Sequence, residues 1–268
     1  MIGRFLRRFY LSVILVFMYL PIASLIVFSF NESKSPAVWS GFSLRWYAEL
    51  FQDPAIAEAL WVTVSIAVLA AATASFIGTL AAIGIDSLRQ KARDVMLNLT
   101  YIPLVNADIV TGISLILLFI FLRVPRGYWT MLLAHLTFDI PYVIFSVLPK
   151  LRQLDRSTYE AALDMGARPG YAIRRIILPQ ITPGIATGFM LAFTMSFDDF
   201  MISFFTAQGT TQNLSTYIYS MARVGINPTI NALSALMFVV VISLLLVMNL
   251  RAMRRTPDHR IPEVEDFR

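Results

Sequence analysis

Six apolar runs, each long enough to cross a lipid bilayer as a helix, constrain this chain more than any other feature. They lie at about 9–30, 60–85, 95–122, 128–148, 181–206 and 230–250. A helix needs about 20 residues to cross a hydrocarbon core about 30 Å thick. Lipid offers no partners for backbone N–H and C=O groups, so runs of this length must be helical. The expected fold class is therefore an all-α integral membrane protein with six transmembrane helices. The third run is interrupted by Pro103, Asn106, Asp108 and Gly112, which predicts a kink there or a longer, tilted helix. Only 15% of the 268 residues are charged, against about 25% in soluble domains. With 57% hydrophobic residues, much of the chain has lipid as its solvent. The first run follows Arg4, Arg7 and Arg8 but exceeds the roughly 7–15 apolar residues of a signal peptide, so it reads as an uncleaved span.

An even number of spans places both termini on one side, and charge says which. With the termini inside, 17 of the 22 Lys and Arg residues fall on cytoplasmic segments, including a polar tail at 251–268. Only Lys34, Arg45, Arg123, Arg126 and Arg223 fall outside. This is the positive-inside pattern, so both termini are expected in the cytoplasm. It also accounts for the net charge of +5 and removes the case for a nucleic-acid surface. The absence of cysteine excludes disulfides and thiolate metal sites. Only two histidines are present, His135 and His259, so neither a metal cluster nor a histidine-based catalytic set is expected.

Ionisable groups inside the membrane are costly, and those retained usually have work to do. Five fall within the spans: Asp108, His135, Asp139, Asp198 and Asp199. Four are acids, and no Lys or Arg faces them within the spans. That imbalance suggests a cationic solute. Asp108 falls near the middle of the third run. Asp198 and Asp199 lie in Ser196-Phe-Asp-Asp-Phe200, and on one helix they point about 100° apart, so one can face a pathway while the other binds a neighbouring helix. His135 and Asp139 share a helix face and read as a hydrogen-bonded pair holding helices together. In the first outer loop, Trp46 belongs to a short amphipathic segment. It suits either the aromatic belt of the membrane interface or a cation–π contact at the outer mouth.

The longest inner connection, 149–180, carries the most specific signal. Within it Ser157 and Glu160 are spaced as a capping box, and Gly166 can end the short helix that follows. Glu160-Ala161-Ala162, then Gly166, Ile176 and Leu178-Pro179, resembles the EAA signature of permease subunits of binding-protein-dependent ATP-binding-cassette importers. The resemblance implies the MetI-like fold, a bacterial inner-membrane location, and a coupling helix at these residues that docks on an ATPase subunit. No G-x-x-x-x-G-K-[ST] phosphate loop occurs in the chain, so ATP and Mg are expected on the partner and no cofactor on this subunit. Further stretches, among them Asp108-Ile-Val-Thr-Gly112, Ser196-Phe-Asp-Asp-Phe200 and the run from Tyr217 to Leu233, are similar to spermidine/putrescine permeases. That likeness implies polyamine uptake by an assembly of this subunit, a paralogous permease, ATPase subunits and an extracytoplasmic binding protein. Asp108, Asp198, Asp199, Ser196 and Trp46 are the expected substrate-pathway residues. A permease for a different small solute is the alternative. A proton-coupled secondary transporter would use the acids as a relay, but it leaves the EAA loop unexplained.

Overall fold

The computed structural model describes residues 2–34, 38–207, 211–225 and 228–254. The helices in chain order are α1 (Ile2–Phe28), α2 (Arg45–Gln52), α3 (Pro54–Ser87), α4 (Gln90–Val105), α5 (Asp108–Phe121) and α6 (Tyr128–Arg152). They are followed by α7 (Arg156–Asp164), α8 (Pro169–Ala172), α9 (Leu178–Asp198), α10 (Met201–Thr206), α11 (Leu214–Val224) and α12 (Pro228–Arg254). A π-helical segment, Ile173–Ile177, joins α8 to α9. No strand occurs among the described residues; one isolated bridge pairs Asn31 with Phe42. Of the polar tail expected at 251–268, residues 251–254 continue α12 and the remainder lies outside the described residues.

Four helical stretches are long and apolar enough to cross a membrane: Arg7–Phe28, Pro54–Ser87, Tyr128–Arg152 and Pro169–Asp198. The pair α4–α5 makes a fifth if its two members are taken as one span. Pro228–Ser243 is a shorter apolar stretch.

The chain divides into two compact units. The larger, Tyr47–Asn227, is built on α3, α6 and α9, which pack against one another. Their shared core includes Ala71, Ala74 and Ala82 of α3, Val143 and Val147 of α6, and Ile181 and Ala192 of α9. Small residues replace bulk here because lipid gives helices no hydrophobic reason to associate, so close packing must supply the attraction. At Gly78 a Cβ would stand 2.8 Å from the Cβ of Val143, so only glycine permits this approach. In the smaller unit, Met1–Trp46 with Pro228–Arg268, α1 and α12 pack together. The apolar side chains of α1, such as Phe17, face outward, as lipid-facing residues do.

Two expected spans are broken. The run read as one interrupted helix at 95–122 is two helices meeting at 102°. Asn106 ends α4 with an extended backbone, and its side chain donates to Thr111 Oγ1 (3.2 Å). Asp108 then opens α5, where a negative charge suits the positive end of the helix dipole. The run at 181–206 likewise breaks where α9 stops at Asp198 and Asp199 turns extended. The Asp199 carboxylate accepts the Ile202 and Ser203 amides (3.3 and 2.8 Å), taking up two donors that α10 leaves unpaired at its start.

Candidate functional site

The two breaks border the same helix pair. α5 packs against α10, with Gly112 one turn beyond Asp108 and close to Met201 and Phe205. Asp198 and Asp199 immediately precede α10. The break also separates these two acids, which do not share one helix as expected. Asp198 is exposed. Asp199 is turned inward, capping α10 with its Oδ2 3.6 Å from His135 Nε2. Asp108 is exposed, at the start of a helix and not within one.

Ser196 is buried and does not face an open surface. Its Oγ donates to Asp139 Oδ2 (2.7 Å) and lies 3.0 Å from His135 Nδ1. His135 and Asp139 are therefore joined through Ser196 of α9, and the expected direct pair is replaced by a bridged one. His135 Nε2 in turn lies 2.9 Å from Ser203 Oγ. Asn213, which caps α11, donates from Nδ2 to Ser203 Oγ (2.9 Å) and to the Asp199 carbonyl (2.8 Å). Thr63 of α3 extends the network by accepting the Leu214 amide (2.8 Å). Nothing in the local pattern around Ser203, Asn213 or Thr63 identifies them, since their partners are 68, 10 and 151 residues away.

Trp46 is 2% exposed and donates from Nε1 to the Asn31 carbonyl (2.6 Å). It stands at the start of α2, buried and not open to the surface, with Arg45 over its ring at 5.3 Å. Asn31, which the sequence reading did not single out, organises the loop before it by donating to the Val38 carbonyl and accepting from Ser40 N–H. A cavity of about 230 Å³ lies beside α10 and α11, lined by Phe204, Thr211, Gln212, Thr216, Tyr219 and Arg223. It contains none of the acids. Beside it, the aromatic rings of Phe200 and Phe204 close on Tyr219. The same helix is anchored by Tyr217, whose hydroxyl donates to Asp53 Oδ2 (3.4 Å). Burial first and then the Asp53 charge push that hydroxyl above its ordinary pKa.

In the 149–180 loop, α7 is a short helix packed on α8 and the π segment. Its N-cap is Asp155, not Ser157: the carboxylate accepts the Ser157 amide (2.9 Å). The Ser157 backbone and then its side chain hold Asp155 below the usual carboxylate range. Gly166 ends the helix at φ +85°, a backbone that side chains resist, with Ala167 N–H reaching back to the Ala162 carbonyl (3.0 Å). Ala162 is buried, while Glu160, Ala161, Gly166, Leu178 and Pro179 are exposed and Ile176 is half-buried. Met165 and Tyr171 add exposed apolar surface. Pro179 lacks an N–H and its ring crowds the carbonyl four residues back. The turn before it widens accordingly, with the Leu178 amide bonding to Ile173 O.

Broken apolar helices with acids at the breaks, and an exposed helix capped at both ends on the long 149–180 connection, fit a membrane transport permease. Residues 74–254 match the family model described as the binding-protein-dependent transport system inner membrane component, and the chain belongs to that family. It is 35% identical over 256 residues to the spermidine/putrescine transport system permease protein PotC of Escherichia coli K12, covering 96% of this chain and 97% of that one. It is 41% identical over 227 residues to the putrescine transport system permease protein PotI of the same strain, covering 82% and 81%. The fold matches a chain of a bacterial ABC transporter involved in the import of the acidic polysaccharide alginate, with TM-score 0.74, 19% identity, and 94% and 96% of the two chains covered.

Proposed function

We propose that this chain is one of two permease subunits of an ATP-driven importer that carries polyamines, spermidine or putrescine, across the bacterial inner membrane. The observation that carries the reading is an exposed carboxylate at each of two helix breaks, Asp108 and Asp198, with no Lys or Arg in the apolar runs 95–122 and 181–206 that contain them. Irregular backbone at membrane depth survives only where it is buried in protein or lines a water-filled cavity. Two carboxylates there suit a flexible polycation. The names of the relatives support the same solute class. Six spans with both termini in the cytoplasm fit the distribution of Lys and Arg.

In this reading α7 is the coupling helix. Glu160, Ala161, Ala162, Gly166, Ile176, Leu178 and Pro179 form or support the surface that an ATPase subunit engages. ATP and Mg act there and not on this chain. An extracytoplasmic binding protein delivers the solute, and a paralogous permease completes the pathway. Ser196 and Asp199 contribute from behind, by holding the break that presents Asp198.

The test is uptake of labelled spermidine and putrescine into proteoliposomes holding the whole complex. Asp108→Asn and Asp198→Asn should each raise the KM for the polyamine while the complex is recovered in normal amount. Unchanged kinetics in both variants would return the acids to a structural role. Uptake of a different solute only would leave the importer assignment and replace the substrate.

A further inference from the structure

Hydrogen-bond direction can be read along the buried network in the larger unit by counting protons. Asn213 caps α11 through its Oδ1, which accepts the Thr216 amide (2.9 Å), so Nδ2 is the side that faces Ser203 and Asp199. Ser203 Oγ accepts from Asn213 and has one proton left to give. Ser196, at the other end, spends its only hydroxyl proton on Asp139 Oδ2 (2.7 Å), leaving lone pairs toward His135. With Asp139 ionised and the imidazole neutral, His135 donates from Nδ1 to Ser196 and accepts at Nε2 from Ser203 (3.0 and 2.9 Å), with Asp199 Oδ2 3.6 Å from the same Nε2. Every bond runs the same way, from Asn213 through Ser203, His135 and Ser196 to Asp139. The terminal Asp139 keeps one buried oxygen, Oδ1, without a hydrogen-bond partner.

The network is aimed at the α9–α10 break. Asn213 holds the carbonyl of Asp199, and Asp199 Oδ2 accepts the amide of Ser203 (2.8 Å). The same Ser203 carries the bond to His135. These bonds fix Asp199, the residue after Asp198, through its carbonyl and its carboxylate, while Asp198 itself is exposed. We infer that Asn213, Ser203 and His135 are positioning residues for solute binding: they set the direction of the Asp198 carboxylate without touching the solute. This rests on the reading of Asp198 as a solute contact.

A positioning role and a merely structural one separate by kinetics. Asn213→Ser preserves an N-cap for α11 but loses both donated bonds. In the full complex in proteoliposomes, it should raise the KM for polyamine about tenfold, as expected for losing a positioned hydrogen bond, with Vmax and ATPase recovery retained. Combined with Asp198→Asn, it should add no more than about twofold to the KM of that variant, because both act on one contact. His135 supplies a second handle. His135→Gln leaves an acceptor near the Nε2 position for Ser203, whereas His135→Ala leaves none, so the KM should rise less in the first than in the second.

Additive effects of Asn213→Ser and Asp198→Asn, or equal KM values for the two His135 variants, would overturn the positioning assignment while Asp198 keeps its role. An unaltered KM in Asp198→Asn would remove the solute contact and the positioning assignment with it. Loss of the assembled complex in both Asn213→Ser and His135→Gln would also overturn the inference, since the network would then serve folding alone.

Discussion

Ser196 and Asp139 illustrate how a buried carboxylate is held when no cation is available. Asp139 is fully buried, and the Ser196 hydroxyl is its hydrogen-bond donor among the described residues. An amide at this position would keep an oxygen for Ser196. Asp139→Asn should therefore assemble and transport almost normally. Asp139→Leu removes the acceptor and leaves Ser196 and His135 imperfectly paired, which costs about 1–3 kcal/mol. Thermal unfolding of the detergent-purified complex should show the leucine variant clearly destabilised and the asparagine variant close to the native protein. Much of this site escapes the sequence for a physical reason. The spacing of His135 and Asp139 correctly places them on one helix face, but the group between them comes from another helix 57 residues on. Local periodicity carries no information about such a partner. The burial of Trp46 escapes the sequence for the same reason: the acceptor of its Nε1, the Asn31 carbonyl, lies 15 residues away.

At the scale of elements, hydropathy locates apolar segments but does not locate helix ends. The run at 95–122 is apolar enough to read as one span, yet Asn106-Ala107-Asp108 is a stop followed by a start. Asn favours termini over helix interiors, and Asp favours a first turn. The same reading predicts that α7 is robust to acid. Asp155 is held below the ordinary carboxylate range by the Ser157 amide and hydroxyl. A depressed pKa in the folded state contributes stability above the unfolded value, and that contribution is lost as pH falls through the folded one. ATPase recovery with this subunit should therefore be flat from neutral pH down into the mildly acidic range. Asp155→Ala should lower that recovery across the same range, measured by pull-down at each pH. The sequence placed the cap two residues late, at Ser157, because Asp155 and Ser157 are both good caps and only the backbone path decides between them. Packing makes a separate prediction. Gly78→Val forces a side chain into Val143, which overpacking data place at about 1–3 kcal/mol, and should lower the yield of folded subunit on size-exclusion chromatography.

For the whole molecule, the all-helical fold class was legible because it rests on a long signal, the apolar runs. The acids were legible as exceptional residues in lipid, but the different exposure of Asp198 and Asp199 depends on the break after Asp198. In the proposed function this chain is a pathway whose motor is a separate protein docked at α7, where Glu160 is exposed and Gly166 closes the helix. The most direct measurement is to express Glu160→Lys with the other subunits of the complex. Its membrane content, the ATPase recovered with it and ATP-driven polyamine uptake would then be compared with those of the native chain. The expected result is a normal amount of inserted subunit, loss of the co-purified ATPase and loss of uptake. Full ATPase recovery with undiminished ATP-driven uptake would contradict the account.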